Sequence, residues 1–227
     1  MRTTTVAEPG RQVGMVWAGF PVVGAGLLWG VRAAAGWLLS LPWIPFRGPL
    51  RLIDSVPEPW GTVGSLALGA AVGLFFAAWA AHERLTVELT DETLTLTRGG
   101  TPRTIDRTEI SAVFFDDKKL VVLGRISEEL ARESHDLPAG AVADAFQTHG
   151  YPWLDADPHR DEFRRWVEDL PDLPPAANAL LKARAKALKK SDADDARELR
   201  TELARLGVVV RDDRKRQFWR LTGQSGR

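Results

Sequence analysis

The chain has 227 residues and contains no cysteine. That absence excludes a disulfide scaffold, a thiolate zinc site, a cysteine nucleophile and an iron–sulfur cluster. Histidine is scarce as well: the four present show no HExxH-like spacing, and there is neither a nucleophile-elbow serine nor a P-loop. No metal, no cofactor and no catalytic residues are expected, and the chain reads as a non-enzyme. Net charge is also missing, since 30 basic residues balance 30 acidic ones. A neutral total argues against nucleic-acid binding only if the charges are evenly spread. Here residues 1–82 carry five basic and three acidic side chains, residues 83–174 eleven and twenty, and residues 175–227 fourteen and seven. An acidic middle and a basic tail belong to a modular chain whose pieces face different surroundings.

The first module is short of charge altogether. Val13–Val31 and Gly61–Ala81 run 19 and 21 residues without an ionisable side chain. At 1.5 Å per residue, about 20 residues cross the ~30 Å hydrocarbon layer, so both are expected as transmembrane helices. The first run exceeds the ~7–15 residues of a signal-peptide core, and a second span follows it. Neither run has a polar face, unlike a core helix of a soluble domain. Trp29, Trp37, Trp43 and Trp60 lie near helix ends or between the helices, where amphipathic rings favour the headgroup level. The stretch from Ala33 to Phe46 reads as an interfacial segment or an extension of a tilted first helix, with Arg32 snorkelling to the surface. Ser65, Gly69, Gly73, Ala77 and Ala81 recur every fourth position and form a ridge that lets another backbone approach. Its foremost partner is the first helix, with Gly26 and Gly30 as counterpart; contact between chains is the alternative. Basic residues flank the spans almost evenly (Arg2, Arg11, Arg47, Arg51, Arg84), so charge does not fix orientation.

After His82 the period shortens to two. Leu85, Val87 and Leu89, then Leu94 and Leu96, alternate with polar residues around a Thr-Asp-Glu turn; a third strand lies within Arg103–Phe115 and a fourth at Leu120–Leu123. Four or five short strands joined by tight turns predict an antiparallel sheet or a small partly open barrel. Helical spacing follows at Val142, Ala145, Phe146 and His149, ending at Gly150. The runs HERLTVELTDETLTLTRGG, RTIDRTEISAVFFDDKKLVVL and AFQTHGYPW, over residues 82–153, resemble the PH-like domain of membrane-anchored bacterial YqeB-type proteins. That resemblance implies a PH-like fold directly after a membrane hairpin. It does not imply phosphoinositide binding, which would want clustered Lys/Arg; Lys118 and Lys119 form a charged turn, and Arg103 with Arg107 reads as a solvated strand edge. Asp157, Pro158 and the stripe Phe163, Trp166, Val167, Leu170 predict a further helix, ended by Pro171, Pro174 and Pro175.

The basic tail predicts a helix over residues 176–190, and a second one capped by Ser191 with Ala196, Leu199, Leu203 and Leu206 inward and Gly207 as the stop. A hairpin of Val208–Val210 and Gln217–Leu221 closes the module. The run KARAKALKKSDADDARELRTELARLGVVVRDDRKRQFWRL resembles the C-terminal anticodon-binding domain of cysteinyl-tRNA synthetases. By position, the resemblance makes Asp212 and Trp219 the hairpin residues that engage anticodon bases. One departure stands in the turn, where Arg216 occupies a position that the family gives to glycine. The synthetase's nucleotide-binding core and zinc ligands have no counterpart, so aminoacylation is excluded.

The expected fold is an α+β membrane protein: a transmembrane hairpin within residues 1–82 (spans 13–31 and 61–81), a PH-like β domain over 83–153, a helix and linker over 154–175, a helix–helix–hairpin module over 176–221, and a flexible tail over 222–227. Candidate RNA-binding residues are Trp219, Phe218, Asp212, Arg211, Arg214, Lys215, Arg216, Lys186 and Lys190. Lysine and arginine neutralise phosphates, and an exposed ring offers bases a stacking face. The same charges also suit anionic lipid headgroups or simple solvation. Expected partners are therefore the bilayer, then tRNA, anionic lipid or protein. The expected function is a scaffold or binding protein of the bacterial inner membrane with its soluble part in the cytoplasm. An assembly module that pairs through the sheet and the Ser65–Ala81 ridge, its tail contacting anionic lipid, is the alternative. Its opposite charges also predict that the tail docks on its own acidic neighbour.

Overall fold

A computed structural model of the chain describes residues 2–8, 10–39, 48, 55–214 and 216–223. Trp43, Arg47, Arg51 and Lys215 lie outside the described residues. The chain divides into two compact units, one of Ala7–Thr86 with Thr97–Thr101, the other of Met1–Val6, Val87–Leu96 and Pro102–Arg227.

The first unit holds two long helices, α1 (Gly10–Leu39) and α2 (Trp60–His82). Both are long and apolar enough to cross a membrane; of their most apolar windows, none of the first and 17% of the second is buried within the protein. A core helix would be buried, so these faces suit an apolar surrounding. α1 runs on through Arg32 to Leu39, the extension of the first helix rather than a separate interfacial segment over these residues, and its 30 residues reach about 45 Å. Arg32 does not stand alone at the surface: its Nη2 donates to Val56 O and Glu58 Oε1, both at 2.9 Å. The small-residue ridge of α2 packs on α1 as expected, with Gly69, Gly73 and Ala77 buried. Its counterpart is not Gly26 or Gly30, which have no neighbour at the Cβ position, but Gly24 and the Phe20–Pro21 backbone. A Cβ on Gly73 would fall 2.6 Å from Pro21 Cα. The ridge thus makes the within-chain contact that was its foremost expected role.

The chain forms three sheets, most of their residues in the second unit. β1 (Thr4–Val6), β2 (Thr86–Leu89), β3 (Thr93–Arg98) and β4 (Thr101–Asp106) form one, in that order; β1 and β2 pair antiparallel with Val6 opposite Val87. Leu85, Val87, Leu89, Leu94 and Leu96 are buried, as their alternation demands. Two strands were not legible in the sequence, β1 ahead of the helices and β7 below. The run 103–115 is two strands rather than one, broken by a single 3-10 turn at Arg107–Glu109. β5 (Ile110–Asp116), β6 (Lys119–Gly124) and β7 (Glu129–Ser134) form the second sheet, with Phe114, Val121 and Leu123 buried on it. α3 (Ala139–Thr148) buries Val142, Ala145 and Phe146, and Gly150 stops the segment at φ +68°.

His149, just beyond α3, is buried, as its place in the helical spacing predicts. Its side chain is 1% exposed, with Nδ1 2.6 Å from Asp91 Oδ1 and Nε2 2.7 Å from Thr4 Oγ1, which ties β1 to the β2–β3 turn. The helix predicted around residues 158–170 does not form. A 3-10 turn at Arg160–Glu162 leads into β8 (Arg164–Arg165), which pairs with the C-terminal hairpin, and Val167 is exposed. The Trp166 N–H donates to Gln217 O at 2.9 Å, so sheet pairing overrides the helical stripe.

Candidate functional site

The basic tail builds its module from α4 (Pro175–Lys190), α5 (Ala193–Arg205), β9 (Val208–Asp213) and β10 (Arg216–Leu221). Pro175 opens α4 where a missing N–H costs nothing. Ser191 is not the N-cap of α5. It closes α4 in the left-handed region, and Asp192 caps α5 by accepting from Asp195 N at 3.1 Å. β10 lies between β8 and β9. Alternation along β10 sends Gln217 and Trp219 one way and Phe218 and Arg220 the other.

Trp219 therefore packs with Leu173, Ala177, Leu181, Leu203, Val208 and Val210 and is 4% exposed. It offers no stacking face to a base, which corrects its reading as a base-engaging residue. Phe218, on the other side, is half-buried. Of the expected inner face of α5, Ala196 and Leu203 are buried, and Leu206 is exposed.

Asp212 is not presented to a ligand either. Arg184, 3% exposed, grips it bidentately (Nη1–Oδ1 2.6 Å, Nη2–Oδ2 2.7 Å) while donating to Gln217 Oε1 at 2.8 Å and Ala196 O at 3.1 Å. Gln217 Nε2 donates in turn to Leu181 O at 2.9 Å, so each end of the hairpin's polar pair is tied to α4. Burial alone would raise the Asp212 carboxyl, but the Arg184 hydrogen bonds and the charges of Arg184, Arg200 and Lys119 hold it below the usual carboxylate range.

The predicted docking of tail on acidic neighbour is present in the second unit. Arg200 on α5 donates to Glu129 Oε2 at 3.0 Å, to Val210 O at 2.6 Å and to Asp212 Oδ2 at 3.3 Å. Arg211 Nη2 lies 2.8 Å from Asp116 Oδ1. Arg132 on β7 sits between those two carboxylates, donating to Asp116 Oδ2 from both Nη atoms and to Glu129 Oε1 from Nε, each at 2.9 Å. Arg220 donates to Ser127 O at 2.6 Å, its guanidinium carbon 5.5 Å from the Phe163 ring centroid. Gly223 N–H reaches Ile126 O at 2.8 Å. The cations crowd one another: burial and the charges of Arg200 and Arg132 lower the Lys119 pKa, and burial lowers that of Arg200.

What stays in solvent is a different basic set. Lys186, Lys189 and Lys190 on α4 and Arg214 and Arg216 at the hairpin tip are exposed, and no ion pair holds any of them among the described residues. On the β1–β4 sheet, Arg103 is exposed as expected, but Arg107 is not a solvated edge. It donates to Gly150 O at 2.7 Å and Asp91 O at 3.3 Å beside a shallow cleft of about 530 Å³ whose lining also includes Asp91, Glu92 and Asp106. That acidic lining is unsuited to a phosphate. Among the described residues, no cluster of three or more His, Asp or Glu side chains is arranged to hold a metal ion.

Antiparallel sheets closed by a helix, two long apolar helices and a helix–helix–hairpin appendix together define a bacterial PH-like domain protein with membrane-compatible helices. The chain belongs to the family of the YqeB-like bacterial PH domain, which it matches over residues 4–154. Residues 170–220 match the anticodon binding domain of cysteinyl-tRNA ligase, without that enzyme's catalytic core. Over 218 residues, 96% of this chain and 91% of the relative, it is 44% identical to "Uncharacterized protein YqeB" of Bacillus subtilis (strain 168). No solved structure matches the chain.

Proposed function

We propose that the protein is a non-catalytic, two-span protein of the bacterial inner membrane that holds tRNA, or a similarly folded RNA, through backbone phosphates on the cytoplasmic side. The observation that carries this reading is a division within the anticodon-binding-like module. Trp219 and Asp212 are committed to the module's own packing, while Lys186, Lys189, Lys190, Arg214 and Arg216 face solvent. Lysine and arginine on a surface whose Trp219 is buried and whose Phe218 is only partly exposed favour phosphate contact over base readout. Binding then depends on salt and is indifferent to the anticodon sequence.

The test uses the full chain in lipid nanodiscs and several purified tRNAs differing in anticodon. Expected is binding at 50 mM salt with similar affinity for each tRNA. The dependence of log K on log salt should lose about 1.5 in slope in the Lys186→Glu, Lys190→Glu double variant, about 0.7–0.9 per lost phosphate contact. No shift at 50 mM salt, or strong discrimination between anticodons, overturns the reading. If anionic lipid in the disc shields the two lysines and tRNA does not, a lipid contact replaces it. Reporter fusions at both termini test the orientation, since a tail outside the cytoplasm meets no tRNA.

A further inference from the structure

We infer that the tail carries a second, masked RNA-binding face, and that the carboxylates Asp116 and Glu129 of the PH-like domain occupy it in place of phosphates. This rests on the RNA-binding reading above and adds its regulation. The face is made by Arg200 of α5 and by Arg211 and Arg220 of the hairpin. All three turn toward the PH-like domain, and each meets an oxygen there: Glu129 Oε2 at 3.0 Å, Asp116 Oδ1 at 2.8 Å and Ser127 O at 2.6 Å.

These partners are too few for the cations gathered there. Asp116 and Glu129 are each shared with Arg132, and Asp212, which also takes Arg200, is shared with Arg184, so three carboxylates serve four guanidinium groups. Arg220, 3% exposed, has no carboxylate within ion-pair distance, though the charges of Asp157, Glu129 and Glu162 reach it, and Nε and Nη1 have no acceptor among the described residues. A buried guanidinium with two unused donors carries a desolvation cost that a phosphate oxygen would relieve. The contact is thus under-neutralised as it stands, which suits a surface held closed by a substitute ligand. Phosphates brought by RNA compete with Asp116 and Glu129 for the same guanidinium groups, and the exposed Lys186–Lys190 set provides the first attachment.

The test compares the full chain with its Glu129→Gln variant in nanodiscs. Glutamine keeps the shape and one hydrogen-bond acceptor but removes the charge by which the PH-like domain holds Arg200, leaving its Asp212 and Val210 contacts within the tail. Expected is tRNA binding about tenfold tighter at low salt, with the salt slope steeper by about 1.5 as two more phosphate contacts become available. Amides of β7, β10 and Gly223 should exchange faster. Unchanged affinity and slope despite faster exchange would overturn the masking and leave the phosphate reading of the exposed lysines intact. Failure of parent and variant alike to bind tRNA would overturn both. If the variant does not fold, the unmodified chain decides: saturating tRNA should speed exchange at β10 and Gly223, and unchanged protection there refutes the masking.

Discussion

The α1–α2 hairpin and the contact between the tail and the PH-like domain are held by opposite means. Gly69 and Gly73 bring two backbones together by having no side chain, and no ionisable group takes part in that ridge. At the other contact, long charged side chains fill the space: Arg132, Arg200 and Arg211 against Asp116 and Glu129. Each choice follows from the surroundings. On the proposed two-span reading, apolar solvent gives the helices no hydrophobic reason to pair, so they rely on close fit. In water, two domains of opposite charge attract at distance, and once dry their contact costs free energy for each charge it leaves unmatched. Fit fails when something is added, whereas a charge network fails when something is taken away.

The largest expected effect follows from removal. Arg184→Met leaves Asp212 and Gln217 without their main donor inside the tail and should cost about 3–5 kcal/mol, read as a lower thermal midpoint of the full chain. Gly73→Ile tests addition. Its side chain meets the Phe20–Pro21 backbone and should cost the helix pair about 1–3 kcal/mol in a detergent unfolding titration. That loss should be the same at low and high salt, and oligomer size should not change. A change in size with no loss of stability would return the ridge to a role between chains.

The smallest effect near neutrality comes from pH. The folded pKa of Asp212 is depressed, so its contribution is complete above the unfolded value of about 3.9 and is lost as pH falls through the lower folded pKa. Tryptophan fluorescence and tail stability should hold from pH 7 to about 5 and decline below about 4. The helices α1 and α2 contain no carboxylate and should keep their far-ultraviolet helical signal through the same range.

The hairpin was the more legible of the two contacts. Uncharged runs and a four-residue spacing are local signals, and they predicted both helices and the buried ridge. They did not identify Gly24, because Gly24 and Gly26 differ only in which way the first helix is turned. The charge imbalance between segments predicted that the tail would dock. The pairs themselves were beyond local reading, since Arg200 and Glu129 are 71 positions apart and any of several arginines would have served. Trp219 misled for a similar reason: an aromatic on a strand points inward or outward according to its register, and here Arg184 and Gln217 set the inward side. β1 is three residues long, too short for a period of two to show, and the stripe at Phe163–Leu170 satisfied helical spacing while its backbone was needed by β10.

The pairing of β1 with β2 has a consequence for the order of events during synthesis. Val6 lies opposite Val87, so β1 has to wait for a neighbour made about 80 residues later, after both long helices. At about 5–20 residues per second that delay is on the order of 4–16 s. The β1–β4 sheet cannot close until the whole helical hairpin exists, and its edge strand then records that both helices were made.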